Sequence, residues 1–264
     1  MKEIITVNKL TKTFKLSHKK RRSERTEQKI KTAVSELSFN AYEGEVFGLL
    51  GPNGAGKTTT LRMLATLIRP DSGDALIDGL SIVAQPREVR KKIAFLAGEL
   101  RLEEFFTPSY LFEFFSKLRA VPSGVMQKRK EELFIRFGVN DFAYEKVANL
   151  STGMKQKVSL LISIAHDPGI IIFDEPTNGL DVLTAKLVTD FLLELKSQGK
   201  VIIVSTHIFS LIEKISDRVG IITDGKMAVC DTLKNITAGR SLEDVFFDIC
   251  DRENKRDGIG SGIR

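Results

Sequence analysis

Apolar and polar positions divide this chain into short stretches of two kinds. Val46-Phe47-Gly48-Leu49-Leu50, Ile170-Ile171-Ile172-Phe173 and Val201-Ile202-Ile203-Val204 are unbroken apolar runs. Runs of that length suit strands buried on both faces, as in a parallel sheet. Ile4–Leu10, Ala75–Ile77, Ile93–Leu96, Val219–Ile222 and Met227–Cys230 read as further strands. Val34–Phe39 alternates apolar with polar residues, the mark of a half-buried strand. Elsewhere the apolar residues recur at helical spacing. Leu61, Leu64, Ala65 and Ile68 predict one helix, Met154, Val158, Leu161 and Ala165 a second, and Thr184–Lys196 a third. Strands alternating with helices imply an α/β fold with a mainly parallel sheet.

The alternation lapses between about 107 and 150. Thr107-Pro108 is a helix start with Pro at the first position. Leu111, Phe112, Phe114, Phe115 and Leu118 then make a wide apolar face, and a second helix runs from Ser123 to about Phe137. These phenylalanines read as core, with partner contact left to any that stay exposed. Ser151 is a good N-cap for the next helix, which Asp167-Pro168-Gly169 ends.

The candidate chemistry sits where strands meet helices. Gly51 to Thr58 fits the phosphate-binding pattern G-x-x-x-x-G-K-[ST] between a strand and a helix, the context that pattern requires. Glycines at 51, 54 and 56 are expected to take backbone angles that a side chain forbids. Their N–H groups can then curl round a phosphate at the positive end of a helix. Lys57 can reach the β- and γ-phosphates, and the Thr58 hydroxyl can ligate Mg²⁺. Asp174 and Glu175 close a buried strand, at the sheet edge where ligands bind. Asp174 can hold Mg²⁺ through water, and Glu175 can orient or deprotonate an attacking water. His207 also follows a buried strand directly and can sense the γ-phosphate; His18 and His166 lack such context. Ser151 and Gly153 offer a second helix N-terminus for phosphate. One phosphate needs one cradle, so the second points to service for a neighbouring molecule.

Composition narrows the class. The chain has 264 residues, 42% hydrophobic and 28% charged, ordinary for a globular protein. No apolar run approaches the roughly 18 residues that span a bilayer. The N-terminus MKEIITVNKL lacks a signal-peptide pattern, and Cys230 and Cys250 have no metal or redox spacing. Residues 17–31 hold seven Lys/Arg and two Glu, hence five of the six net positive charges. A nucleic-acid protein spreads such charge over a face. This stretch reads as a solvated insertion or, alternatively, as a contact with anionic lipid head groups.

Taken together, these motifs resemble those of the ATP-binding subunit of ABC transporters. GPNGAGKT resembles the family's Walker A, LSTGMKQK its signature, IIIFDEP its Walker B, NGLD its D-loop and STH its switch-histidine loop. The resemblance covers about residues 3–230 in the family's order. It implies a P-loop NTPase fold: a RecA-like core, an antiparallel β subdomain and a helical subdomain at about 100–165. It also implies an ATP-binding domain over 1–235 and a short C-terminal helix with a tail over 236–264. SLEDVFF, from Ser241, resembles the tail of exporters with separate ATPase subunits. The signature wording is similar to the branch that extrudes sodium ions or drugs.

By the same resemblance, Gly51, Pro52, Asn53, Gly54, Ala55, Gly56, Lys57, Thr58 and Thr59 bind ATP. Ser151, Thr152, Gly153 and Gln156 bind the ATP of a second subunit, in a homodimer or a pair with another ATPase chain. Phe14 falls where the family stacks an aromatic on adenine. Asp174 and Thr58 serve Mg²⁺, while Glu175 and His207 are catalytic. The expected partner is a membrane permease on another chain, met at the cytoplasmic face of the membrane, with no nucleic acid involved. A soluble ABC ATPase acting on nucleic acid or ribosomes is the alternative. One departure stands out. The family's Gln at the turn into the helical subdomain aligns with Gly98, and Glu99 follows as its possible replacement.

Overall fold

The computed structural model describes residues 2–16, 28–97 and 102–256, with only the backbone of 253–256. Most of the basic stretch 17–31, the Gly98-Glu99 pair and residues 257–264 lie outside the described residues.

The three apolar runs become the centre of one six-stranded sheet. They are β3 (Val46–Leu50), β7 (Ile170–Asp174) and β8 (Val201–Thr206), buried at every position. β6 (Ile93–Leu96), β9 (Arg218–Thr223) and β10 (Lys226–Thr232) complete the order β10-β9-β3-β8-β7-β6. All pairs are parallel except β9 with β10. Parallel register brings the carboxyl ends together: Leu50 lies level with Thr206 and Ile221, and Asp174 with Ser205.

A second sheet, antiparallel and ordered β2-β1-β4-β5, joins β1 (Glu3–Lys15), β2 (Ile30–Tyr42), β4 (Ser72–Ile77) and β5 (Leu80–Ser81). β1 and β2 extend well past the expected 4–10 and 34–39. Irregular register interrupts their pairing, with Lys9 and Glu36 at positive φ (48° and 47°). Such bulges break the two-residue alternation, so the apolar pattern fades while the ladder continues to Phe14 opposite Lys31. Ile5, Val7 and Leu37 from this sheet share a core with α1 (Lys57–Leu64). That helix is shorter than its periodicity predicts. Thr66 at φ 58° turns the chain, yet Ile68 still packs on the same core from outside the helix.

Helices α2 (Pro86–Lys92), α3 (Pro108–Leu118), α4 (Ser123–Phe137) and α5 (Thr152–Ile164) come next in the chain. Among the described residues of 102–164 there is no strand. Phe112 and Phe134 meet edge to face at 5.5 Å and anchor α3 on α4. The expected apolar face of α3 divides in two. Leu111 and Phe112 are buried, whereas Phe114, Phe115 and Leu118 are exposed. After β7 come α6 (Val182–Ser197), α7 (Phe209–Ile215), α8 (Leu233–Thr237) and α9 (Leu242–Arg256). Leu242 and Phe246 of α9 pack on Ile212 and Val219. The unpredicted α2, α7 and α8 have seven, seven and five residues, too few for a helical period to register.

Candidate functional site

The loop from Gly51 to Gly56 leaves the carboxyl end of β3 and opens α1. Gly54 and Gly56 take φ of 85° and 107°, as glycine permits. Gly51 does not, contrary to expectation. Its constraint is crowding: a Cβ there would lie 2.3 Å from the Ile222 carbonyl oxygen. At Gly56 a Cβ would come within 2.4 Å of the Ala33 oxygen. Two further contacts brace the loop. The Gly225 N–H donates to the Ala55 oxygen at 3.0 Å, and the Gly225 oxygen accepts the Ser35 N–H at 2.8 Å. Strand β2, the β9–β10 turn and the loop therefore hold one another. Phe14 is exposed on β1, where it pairs with Lys31 of β2, next to the part of β2 that reaches the loop. The Lys12 ammonium lies 5.8 Å from its ring centroid.

Lys57 is only 6% exposed. Its Nζ donates to the Gly51 and Pro52 carbonyls at 2.6 and 3.1 Å. Burial lowers its pKa, and the charges of Glu175 and Asp174 pull it back up. Pro52, Asn53 and Gly54 form an exposed rim, Ala55 is buried, and Thr58 and Thr59 are half-buried.

The two acids differ in setting. Asp174, 5% exposed, accepts a hydrogen bond from the Ser205 hydroxyl. Glu175 takes φ 52°, an uncommon angle for a residue with a side chain. Its N–H still reaches the Ser205 oxygen at 2.9 Å. Its carboxylate accepts from Thr206 Oγ1 at 3.0 Å, and its other oxygen lies 2.9 Å from His207 Nδ1. Glu175 is thus held from two sides at the rim of the sheet, where a water molecule can reach it. A carboxylate so placed is equipped to accept a proton.

Ser151 caps α5 by accepting the Met154 N–H at 3.3 Å. Ser151 and Thr152 are exposed, and Gly153 faces the Gly179 oxygen. Gln156 is arranged otherwise. Its side-chain nitrogen is buried, without a hydrogen-bond partner among the described residues.

No cluster of three or more His, Cys, Asp or Glu suited to a metal occurs among the described residues. The Thr58 hydroxyl and Asp174 carboxylate are hard oxygen donors. Such a sparse set fits Mg²⁺, which keeps waters and phosphate oxygens in its shell.

Sequence reasoning gave Ser205 and Thr206 no role, yet they hold Asp174 and Glu175. That role follows from the parallel register of β8 on β7, which no local pattern in the sequence displays. Ala33 and Gly225 left no signal either, since nothing local ties them to a loop some 20 and 170 residues away.

The family described as ABC transporter matches residues 34–178. The ABC transporter ATP-binding protein NatA of Bacillus subtilis is 37% identical over 221 residues, covering 83% of this chain and 90% of NatA. The daunorubicin resistance ATP-binding protein DrrA2 of Streptomyces coeruleorubidus is 34% identical over 216 residues, 81% of this chain and 67% of DrrA2. A solved ATP-binding subunit of an ABC transporter superposes with a TM-score of 0.82 at 25% identity, over 94% of this chain and 99% of its own. A dimeric ATP-binding cassette, bound to ADP and Pi in a post-hydrolysis state, superposes at 0.77 with 26% identity, over 87% of this chain and 99% of its own.

Proposed function

The chain belongs to the ABC transporter family as an ATP-hydrolysing subunit of export systems, and on that premise we propose how its own residues bind ATP, break it and drive a separate permease. One observation carries the proposal: the loop from Gly51 to Thr58, Asp174, Glu175 and His207 all converge on one edge of the sheet.

The loop N–H groups and the N-terminus of α1 cradle the phosphates. Lys57 leaves the Gly51 and Pro52 carbonyls for the β- and γ-phosphates, exchanging neutral acceptors for charged ones. Phe14 stacks on the adenine. Thr58 and Asp174 would hold Mg²⁺, which would offset phosphate charge. Glu175 takes the proton of the attacking water, and His207 keeps that carboxylate aimed while it bonds the γ-phosphate. Ser151, Thr152 and Gly153 close over the ATP of a second subunit. No helix among the described residues is long and apolar enough to cross a membrane. The relatives named as ATP-binding proteins support a permease on another chain, met at the cytoplasmic face. Relatives named for drug resistance support an exported substrate.

The test uses the full chain. Expected results are ATP turnover that requires Mg²⁺, and co-purification with a multi-spanning membrane protein from detergent extract. Wild-type turnover in Glu175→Gln would overturn the assignment of the base.

A further inference from the structure

His207 hangs past the end of its strand. β8 stops at Thr206, and the chain enters α7 only at Phe209. The Ile208 N–H reaches back to Thr206 Oγ1 at 3.1 Å, and α7 begins without a side-chain cap. At seven residues, α7 is well short of the roughly 12–15 at which a helix becomes marginally stable alone in water. Its neighbours must therefore keep it folded.

One of those neighbours is α9. Leu242 and Phe246, four residues apart and so on one face of α9, are buried in the same core as Ile212 of α7. The Leu242 N–H donates to Glu213 Oε1 at 2.8 Å, which joins the first turn of α9 to α7. Phe209, the first residue of α7, meets the Phe246 ring edge to face at 5.2 Å. Phe247 closes the aromatic cluster, 6.3 Å from Phe209 and 5.7 Å from Phe246. Edge-to-face rings fix orientation as well as bury area. α9 has anchors of its own. Ser241 Oγ accepts the Asp244 N–H at 3.1 Å, and Arg240 bridges to Asp248 at 2.8 Å.

Phe209 stands two residues from His207. The segment between them is thus gripped from the α9 side by the rings and from the sheet side by Glu175, 2.9 Å from His207 Nδ1. The same apolar core takes in Leu50, just before the phosphate loop. β3, however, is paired on both sides, with β8 and with β9, so its place does not depend on α9. A loosened α9 displaces His207 and leaves the loop where it is.

We propose that α9 is a working part of the hydrolytic site, with Phe246 a positioning residue that acts through Phe209 to keep His207 on Glu175 and the γ-phosphate. This role rests on the reading of His207 given above and adds what holds that side chain in place.

Full-length wild type, Phe246→Ala, Phe246→Leu and His207→Ala are compared in ATP turnover and in their imidazole proton spectra. The chain has three histidines, and the His207 signal is the one missing from His207→Ala. His166, bonded to the Ile93 carbonyl at the amino end of β6, gives a signal that reports the fold. Phe246→Ala should lower kcat at least ~tenfold, with KM for ATP within about twofold of wild type, because it misplaces a reacting group and spares the cradle. Its His207 signal should move and its His166 signal should not. Phe246→Leu, which refills most of the space, should recover most of kcat. Wild-type kcat in Phe246→Ala, or an unmoved His207 signal beside a lost kcat, overturns the inference and leaves the reading of His207 standing. Wild-type turnover in His207→Ala overturns the reading and the inference together. Should Phe246→Ala also shift the His166 signal, Glu213→Ala decides, because it frees the Leu242 N–H without opening the aromatic core. A moved His207 signal in that variant supports the inference, and an unmoved one overturns it.

Discussion

Two helices in this chain present their N-termini to solvent at sites suited to phosphate, and they are built in opposite ways. α1 begins at Gly56 with no side-chain cap, so its first N–H groups point at whatever the loop encloses. Three segments brace it, and it carries a buried cation. α5 begins at Ser151, whose own hydroxyl occupies one of those groups, and its first turn is open and carries no acid. Beside it, Gly179 approaches Thr152, and the chain then enters α6 through the Asp181 cap with Val182 and Leu183 84% and 80% exposed. The first terminus is a complete grip. The second is part of one, adjoining an apolar patch that another molecule can cover.

The sharpest way to break the comparison is to disable the grip. Lys57→Ala should lower turnover at least ~10²-fold by removing the cation nearest the transferred phosphate. Glu175→Gln should lower turnover by ~10²–10⁴ while ATP still binds. An ATP-loaded dimer of Glu175→Gln should then accumulate on size exclusion, and a monomer at high concentration would break the idea of a shared site.

Mixing tests which terminus serves which molecule. A Lys57→Ala chain paired with a Ser151→Arg chain assembles one site with both defects and one with none. If each ATP lies between subunits, the mixture should recover part of the turnover that neither variant has alone. A mixture no better than its parts would place both termini on one ATP of one chain, or require both sites to fire together.

The brace behind the grip should matter less. Gly225→Ala sets a side chain at φ 79° and within 2.9 Å of the Ala33 oxygen, a strain of ~1–3 kcal/mol. It should raise KM for ATP while kcat holds, because Glu175 and His207 are untouched. An unchanged KM would mean that the loop keeps its shape without the brace.

The smallest effect lies at the far end of α5. His166 Nε2 sits 3.2 Å from the Ile93 oxygen, and burial foremost, with Arg119, lowers its pKa to about 4. The unfolded histidine, near ~6.5, then binds a proton that the folded one refuses. The stability from the neutral ring is full above pH ~6.5 and falls as pH drops toward 4. His166→Gln should flatten that slope in denaturant melts between these limits, and an unaltered slope would show that the ring titrates alike in both states.

The features legible in the sequence were those carried by a local pattern. The runs at 46–50, 170–173 and 201–204 announced the buried strands, because burial on both faces leaves no polar positions. The Ser151 cap was legible from one residue type. What stayed hidden depends on register or crowding. Gly51 looked like a conformational glycine and is a steric one. Ser205 and Thr206 gain their role only when β8 lies level with β7. The division of the α3 face between core and surface follows from where α4 and α5 pack, which no spacing within α3 encodes.

The Ala33 carbonyl that stands against both Gly56 and Gly225 makes the loop audible from a distance. Ser35 and Gly225 give their amide protons to bonds that exist only while the loop, β2 and the β9–β10 turn stay together. Neither amide is part of the phosphate cradle. Their deuterium uptake should nonetheless slow when ATP fills the loop and quicken when it leaves, since local opening and exchange share one equilibrium. A pair of backbone protons would thus record the occupancy of the cradle without a label, and equal uptake with and without nucleotide would show that the brace is already closed in the empty chain.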